Sequence, residues 1–313
     1  MHTSNGSRIV SIGAARPTTI YTAGDLGAPF GKDAAWVEAR TGIQCLHRLA
    51  PDETIEDLAV IAGERALAKA KAVGTVDLVI TASCSRMLAH GRTIAARLAP
   101  GVATYEINSA CSGFSYALAA AGAFIRTGSA QVVLVVAAEQ MSRLIDPTDL
   151  GTSIIFGDGA GAAVVAASPD AAQIGPVVFG SDGANAAMIE CDESGILHMQ
   201  GRSVFRWAVD TVPIIVEQAC DRAGVAVSDI EVFVPHQANR RITEAVTRKL
   251  DLDHAIIATD VTTAGNTSAA SIPLAIDAVL ATVPRARGAL AVMVGFGAGL
   301  SYAAQVARLP VST

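Results

Sequence analysis

Apolar residues in this chain gather into short blocks with little alternation inside them. Arg8–Gly13, Asp77–Ala82, Val132–Ala138, Gly161–Ala166, Ile230–Val234, Ala255–Ala258 and Ala289–Val294 are mostly continuous apolar runs. Runs of that length without a polar face predict strands covered on both sides. Between them, Thr54–Ala72, Arg92–Leu98, Gly113–Thr127, Arg202–Ala223, Asn239–Leu250 and Ser271–Ala281 read as helices. The alternation predicts a layered α/β architecture. In Gly113–Thr127 the large residues Phe114, Tyr116, Leu118, Phe124 and Ile125 spread around the whole helix. A helix that is apolar all round lies between layers. Its start therefore carries Cys111 into the interior, where free N–H groups and the helix dipole are expected to favour a thiolate.

The pattern also echoes itself. Phe156-Gly157-Asp158-Gly159-Ala160-Gly161 opens one apolar stretch, and Phe296-Gly297-Ala298-Gly299 precedes another. Asp77–Thr81 runs into Ala82-Ser83-Cys84 as Ile230–Val234 runs into Pro235-His236-Gln237. We read two copies of one β/α unit, 1–168 and 169–313, joined near residues 166–175. Chance likeness of glycine-rich turns is the competing explanation.

Composition narrows the class. A chain of 313 residues with 51% hydrophobic and 17% charged residues has ample material for a buried core. Aromatics at 4% do not suit a sugar or nucleic-acid groove, and a net charge of −6 argues against nucleic-acid binding. The five cysteines (Cys45, Cys84, Cys111, Cys191 and Cys220) are odd in number and widely spaced, which suggests neither a metal site nor a disulfide framework. Cytosolic thiols are the simplest reading. Met1–Asn5 has no apolar leader, and glycine, serine or charge interrupts every apolar run short of bilayer length. A soluble cytoplasmic protein without membrane partners is expected.

Three segments carry the chemistry: Asn108-Ser109-Ala110-Cys111-Ser112-Gly113-Phe114, Pro235-His236-Gln237-Ala238-Asn239 and Gly265-Asn266-Thr267-Ser268-Ala269-Ala270-Ser271. Each sits where an apolar strand gives way to polar residues. Singly, Cys111 reads as an inert core thiol, His236 as a hydrogen-bonded loop residue and Asn266 as a turn or cap. Jointly they offer a nucleophile that can hold an acyl group and two side chains able to donate hydrogen bonds where negative charge develops.

With their flanks, these segments resemble the β-ketoacyl-acyl carrier protein synthase III family of the thiolase superfamily. The resemblance rests on Trp36–Ile43, Ala110–Phe114, Asp146–Asp149, Phe156–Ala162, Val234–Asn239, Gly265–Ser271 and Gly295–Gly299, which follow one another in the family's order over nearly the whole chain. Related classes fit less well. A thiolase would carry a second cysteine near Gly295–Gly299, elongating ketosynthases use a second histidine in place of Asn266, and hydroxymethylglutaryl-CoA synthases use a glutamate. Chalcone-synthase-like enzymes share Cys-His-Asn but carry a different glycine loop.

The resemblance implies a fold of two βαβαβαββ halves in five αβαβα layers. It implies Cys111, His236 and Asn266 as catalytic residues, with the backbone N–H groups of Cys111 and Ala298 as the oxyanion hole. Coenzyme A or pantetheine would lie along Trp36, Arg40, Gly201, Phe205 and Asn239. An acidic acyl carrier protein would dock on Arg206, Arg240, Arg241, Arg248 and Lys249; an ordinary solvated helix face is the competing reading of those charges. The implied reaction loads an acyl group on Cys111 and condenses it, with loss of CO2, with malonyl-acyl carrier protein. It uses acyl thioesters as substrates and no cofactor or metal. A homodimer is implied too, with Val132–Ala138 near the interface.

Departures from the family bear on the acyl donor. Leu150 stands where the family has an arginine, Gln44 replaces another, and Ala264 replaces an aromatic residue or histidine. The stretches Ala82–Leu98 and 182–200 are short, so chain-length preference does not carry over. Two other readings therefore stay open: an acyltransferase without decarboxylation, and a non-catalytic subunit of a condensing heterodimer.

Overall fold

The computed structural model describes residues 6–71, 73–85, 90–168 and 172–311. The expected helix end at Ala72, the leader call on Met1–Asn5 and part of the expected junction, at 169–171, lie outside these residues, as does the centre of the short Ala82–Leu98 stretch. Two mixed five-stranded sheets form the frame. The first contains β1 (Ser7–Ala15), β2 (Leu78–Ala82), β3 (Ala103–Ile107), β4 (Val132–Gln140) and β5 (Asp158–Ala167). The second contains β6 (Val178–Ser181), β7 (Val232–Pro235), β8 (Ile256–Ile257), β9 (Leu290–Gly297) and β10 (Ser301–Arg308). Their orders are β3-β2-β4-β5-β1 and β8-β7-β9-β10-β6. In each sheet the first three strands run parallel and the last two pairings are antiparallel. Position by position, the second sheet repeats the first.

Seven helices matter here: α1 (Ala34–Thr41), α2 (Ile55–Lys69), α3 (His90–Leu98), α4 (Gly113–Arg126), α5 (Gly201–Ala223), α6 (Arg240–Lys249) and α7 (Ser271–Thr282). α4 and α7 each pack against strands of both sheets and form the middle layer, α2 and α3 cover the outside of the first sheet, and α5 covers the second with α6 against it. The result is five layers, αβαβα. The blocky apolar runs follow from it. In β4, Val133, Val135 and Ala137 face the middle layer while Val132, Leu134 and Val136 face the outer helices. In β9, Ala291 and Met293 turn inward and Val292 and Val294 outward. A strand buried on both faces has no position that favours a polar residue.

Two sequence echoes occupy matching places. Phe156-Gly157 leads into β5 and Phe296-Gly297 leads into the turn before β10, the fifth strand of each repeat. Asp77–Thr81 and Ile230–Val234 become β2 and β7, the second strand in each sheet's order. The structure adds a further match: the 3-10 turns Ala110–Ser112 and Ser268–Ala270 precede α4 and α7, and each begins at a residue with positive φ, Ala110 at 46° and Ser268 at 49°. Elsewhere the pattern misleads. Ala255–Ala258 yields only the short edge strand β8, while β3, which interleaves Thr104 and Glu106 with apolar residues, gives no apolar block. Val132–Ala138 is buried in the central strand of its sheet, whose edge strands are β3 and β1. Among the described residues no helix is long and apolar enough to cross a membrane.

Candidate active site

The chemistry gathers where the second and third strands of each sheet end. β7 runs through Pro235 to His236, whose backbone N–H donates to the Val294 carbonyl at 2.7 Å and so extends the parallel ladder. The Gln237 carboxamide then secures the turn. It donates to the Pro235 and Ala258 carbonyls at 2.7 and 3.1 Å and accepts from the Val261 N–H at 3.0 Å. Gln237 thus ties the His236 turn to the segment leading to Asn266.

His236 is buried, with Nδ1 at 2.7 Å from the Ser271 hydroxyl and its ring edge-on to Phe296. The same hydroxyl oxygen accepts from the Gln237 N–H at 3.3 Å. When the hydroxyl donates to Nδ1 the imidazole proton sits on Nε2, the tautomer that presents an N–H away from Ser271. Burial pushes the His236 pKa down to about 3. The ring is therefore a neutral N–H donor at ordinary pH.

Asn266 is clamped through its backbone. Its N–H donates to the Ile155 carbonyl at 2.9 Å, and its carbonyl accepts from the Gly157 N–H at 3.1 Å. Gly265, at φ 69°, makes this approach possible, since a Cβ there would meet the Ile155 oxygen at 2.8 Å. The side-chain oxygen accepts from the Ser268 N–H at 2.9 Å, which turns the amide N–H2 the other way, into the cavity.

Cys111 lies in the turn that opens α4, pressed against the glycine loop. A Cβ on Gly297 would fall 2.7 Å from the Cys111 Cβ and 2.9 Å from its sulfur. Ala298, whose N–H follows Gly297 in the chain, lines the same cavity. The expected thiolate is not the resting form. Burial pushes the thiol up to about 12; a hydrogen bond from Ser268 pulls it down, and the Glu139 carboxylate raises it further. Desolvation outweighs the helix terminus here.

Cys111, His236 and Asn266 line one apolar cavity of about 390 Å³ together with Gly297 and Ala298. One wall is the hairpin of Ile189–Cys191 and Leu197–Met199, which packs with Met141 and Phe156, also in the cavity lining. The 182–200 stretch, read as short, supplies this wall. Cys84 also reaches the cavity, its sulfur 3.2 Å from the Ser268 hydroxyl.

An outer vestibule of about 790 Å³ shares Ile155, Gly201, Phe205 and Asn239 with this cavity, so the two are continuous. Trp36 and Arg40, one turn apart on α1, lie in it with the guanidinium 4.9 Å from the indole centre; Lys32 lies 5.2 Å from the same ring. All five residues expected to hold coenzyme A or pantetheine line the vestibule or its throat. Asn239, however, has both ends of its amide engaged, capping α6 through the Arg241 N–H at 2.9 Å and donating to the Arg40 carbonyl at 3.3 Å. Leu150 faces the vestibule as well.

The basic residues divide. Arg206 and Arg241 line the vestibule, with Arg241 over the Phe205 ring at 5.8 Å. Arg240 pairs with Glu244 at 2.8 Å and Lys249 with Asp210 at 2.8 Å, so both carry local partners. Arg248 is exposed and lies outside the vestibule lining. Sequence reading missed Arg202, which lines the vestibule, and Ser268, Ser271 and Glu139, which hold the site residues. Small polar residues at such positions give no periodic signal; only their proximity to the motifs marks them.

Comparison with known proteins fits this geometry. Residues 105–183 match the family model described as 3-oxoacyl-[acyl-carrier-protein (ACP)] synthase III, and residues 220–309 match that of its C-terminal part. The chain is 42% identical to the mycobacterial β-ketoacyl-[acyl-carrier-protein] synthase III of Mycobacterium marinum, over 97% of this chain and 96% of that one. This chain belongs to the 3-oxoacyl-[acyl-carrier-protein] synthase III family. Its thiolase-like architecture superposes on a priming β-ketosynthase from a polyketide biosynthetic pathway with TM-score 0.94, 36% identity and coverage of 99% and 98% of the two chains. The 3-oxoacyl-(acyl carrier protein) synthase III of Pseudomonas aeruginosa gives TM-score 0.91, 33% identity and coverage of 99% and 100%. The resemblance read from the motifs therefore holds along the whole chain.

Proposed function

We propose that this protein is a condensing acyltransferase that starts a fatty-acid or polyketide chain. The observation that carries the proposal is that one apolar cavity holds a thiol and two neutral N–H donors, His236 and Asn266. An acyl thioester enters through the vestibule, and the Cys111 sulfur attacks its carbonyl carbon. The new S–C bond replaces the bond to the donor sulfur, which departs with the thiol proton. The N–H groups of Cys111 and Ala298 hold the oxyanion during this step.

Malonyl-acyl carrier protein follows by the same route. His236 Nε2–H and the Asn266 amide donate to its thioester carbonyl. Loss of CO2 leaves an enolate whose negative oxygen those two donors stabilise, and its carbon attacks the acyl group on Cys111. The C–C bond forms as the Cys111 C–S bond breaks, and the thiol is regenerated. Neutral donors suit an oxygen that gains and then loses charge, because they hold no fixed charge between turnovers. This chemistry needs no metal or organic cofactor.

Acyl carrier protein is the proposed partner, docking at the mouth formed with Arg206 and Arg241. We also infer a homodimer that uses the open edge of β3, and a reducing, cytoplasmic setting that suits five free cysteines.

Intact mass measurement tests the reading. Incubation with a panel of acyl-CoA and acyl-carrier donors should add an acyl mass to the wild type and none to Cys111→Ala. Malonyl-acyl carrier protein should then discharge it as a β-ketoacyl carrier. Loading followed by discharge to other acceptors, with no CO2 released, would instead make the protein a plain acyltransferase.

A further inference from the structure

Glu139, near the end of β4, is a fully buried carboxylate that the reaction above does not use. Among the described residues its partners are all N–H or O–H donors. One oxygen accepts from the Ser83 hydroxyl at 3.1 Å, the Ser85 N–H at 3.0 Å and the Ser85 hydroxyl at 2.6 Å. The other accepts from the Ser268 hydroxyl at 3.1 Å and the Ala269 N–H at 3.4 Å, and the Cys84 N–H lies 3.1 Å from both. A buried carboxylate is costly unless it is hydrogen-bonded in this way.

Ser268 links this carboxylate to the reaction. Its backbone N–H fixes the Asn266 amide, and it does so from a φ of 49°. A residue other than glycine is strained there and stays only if its surroundings hold it. The carboxylate grips Ser268 by its hydroxyl and the next residue by its N–H. Without that grip Ser268 is free to relax, the Asn266 oxygen loses its donor, and nothing keeps the amide N–H2 turned toward the cavity.

We propose that Glu139 is a positioning residue for condensation, orienting Asn266 through the left-handed turn at Ser268 without assisting acylation of Cys111. The inference rests on the role given to Asn266 above. The placement carries a counter-effect: the negative charge disfavours the Cys111 thiolate. Removing the charge should therefore move the two half-reactions in opposite directions, which general loosening of the fold would not do.

The test compares Glu139→Gln and Ser268→Ala with the wild type and with Asn266→Ala. Release of CO2 from malonyl-acyl carrier protein reports the condensing half, and alkylation of Cys111 by iodoacetamide across pH reports the thiol. Glu139→Gln should lose roughly 10²-fold in CO2 release, the scale of a lost oxyanion donor. Its alkylation should be at least as fast as wild type, with the pH profile shifted to lower pH. Ser268→Ala should lose about tenfold in CO2 release, and because its hydroxyl also lowers the Cys111 thiol its alkylation should slow as well. If Glu139→Gln does not fold, Glu139→Asp, which keeps the charge but withdraws the grip on Ser268, replaces it and should lose CO2 release with alkylation unchanged. Unchanged CO2 release in the Glu139 and Ser268 variants, or a parallel fall of both half-reactions in the Glu139 variant, overturns the proposal. If Asn266→Ala itself releases CO2 like the wild type, the fault lies in the role assigned to Asn266.

Discussion

The α carbon of Gly297 packs so closely on Cys111 that a side chain there would begin 2.9 Å from the sulfur. The glycine loop and the nucleophile thus share one contact surface. Glycine at 297 is required by this approach alone, since its φ of 177° is extended backbone that any residue adopts. Gly297→Ala should slow acylation of Cys111 by roughly 10² or more, the scale set by a displaced oxyanion donor. The rate of mass gain with an acyl thioester measures it, and thermal stability should change far less.

Gly265 differs, because its backbone is left-handed and the space beside it is filled. At φ 69° and ψ −165° Gly265 lies in a region essentially restricted to glycine, so Gly265→Ala should cost about 1–3 kcal/mol for the backbone alone, with more from the Ile155 carbonyl. Denaturant titration reads the stability. CO2 release from malonyl-acyl carrier protein should fall with it, because Asn266 is the next residue.

The His236 imidazole, held neutral by burial, sets two pH expectations. Between its folded pKa near 3 and the free value near 6.5, the unfolded chain binds a proton that the folded chain does not. Its contribution to stability is therefore complete above about pH 6.5 and is lost as pH falls toward 3. His236→Gln should flatten that part of a stability-against-pH curve. Condensation should show no limb from His236 between about pH 5 and 8.

Ser271 holds the His236 ring through its 2.7 Å contact with Nδ1. Ser271→Ala removes this hydrogen bond to the ring, worth about 1 kcal/mol, along with the longer one from the Gln237 N–H, so condensation should fall about fivefold or more while loading of Cys111 is unchanged. Equal loss in both steps would mean that the hydroxyl serves the fold and not the ring.

The arginines at the mouth should separate by geometry. Arg241→Ala should raise the KM for the carrier protein severalfold and weaken its salt dependence, since rim charges act mainly on encounter. Lys249→Ala should matter less, because its ammonium already pairs with Asp210. Steady-state kinetics at two ionic strengths distinguish the two.

By itself the sequence determined the layers and the three chemical residues. Doubly covered strands such as Val132–Val136 need continuous apolar residues, and a helix between two sheets, such as Gly113–Arg126, must be apolar all round; both leave marks in one dimension. Cys111, His236 and Asn266 stood out through the long motifs that resemble the synthase III family, and the structure brings all three to one cavity.

The tertiary structure alone decided how those residues behave. The protonated thiol of Cys111 and the neutral ring of His236 follow from desolvation, which depends on neighbours far apart in the chain. The central place of Val132–Ala138 and the edge places of β1 and β3 are matters of strand pairing, which composition does not record. Glu139 shows the same limit. A lone carboxylate after an apolar strand looks like its exposed end, and only its contacts with residues 55 and 129 positions away reveal a buried anchor beneath the site.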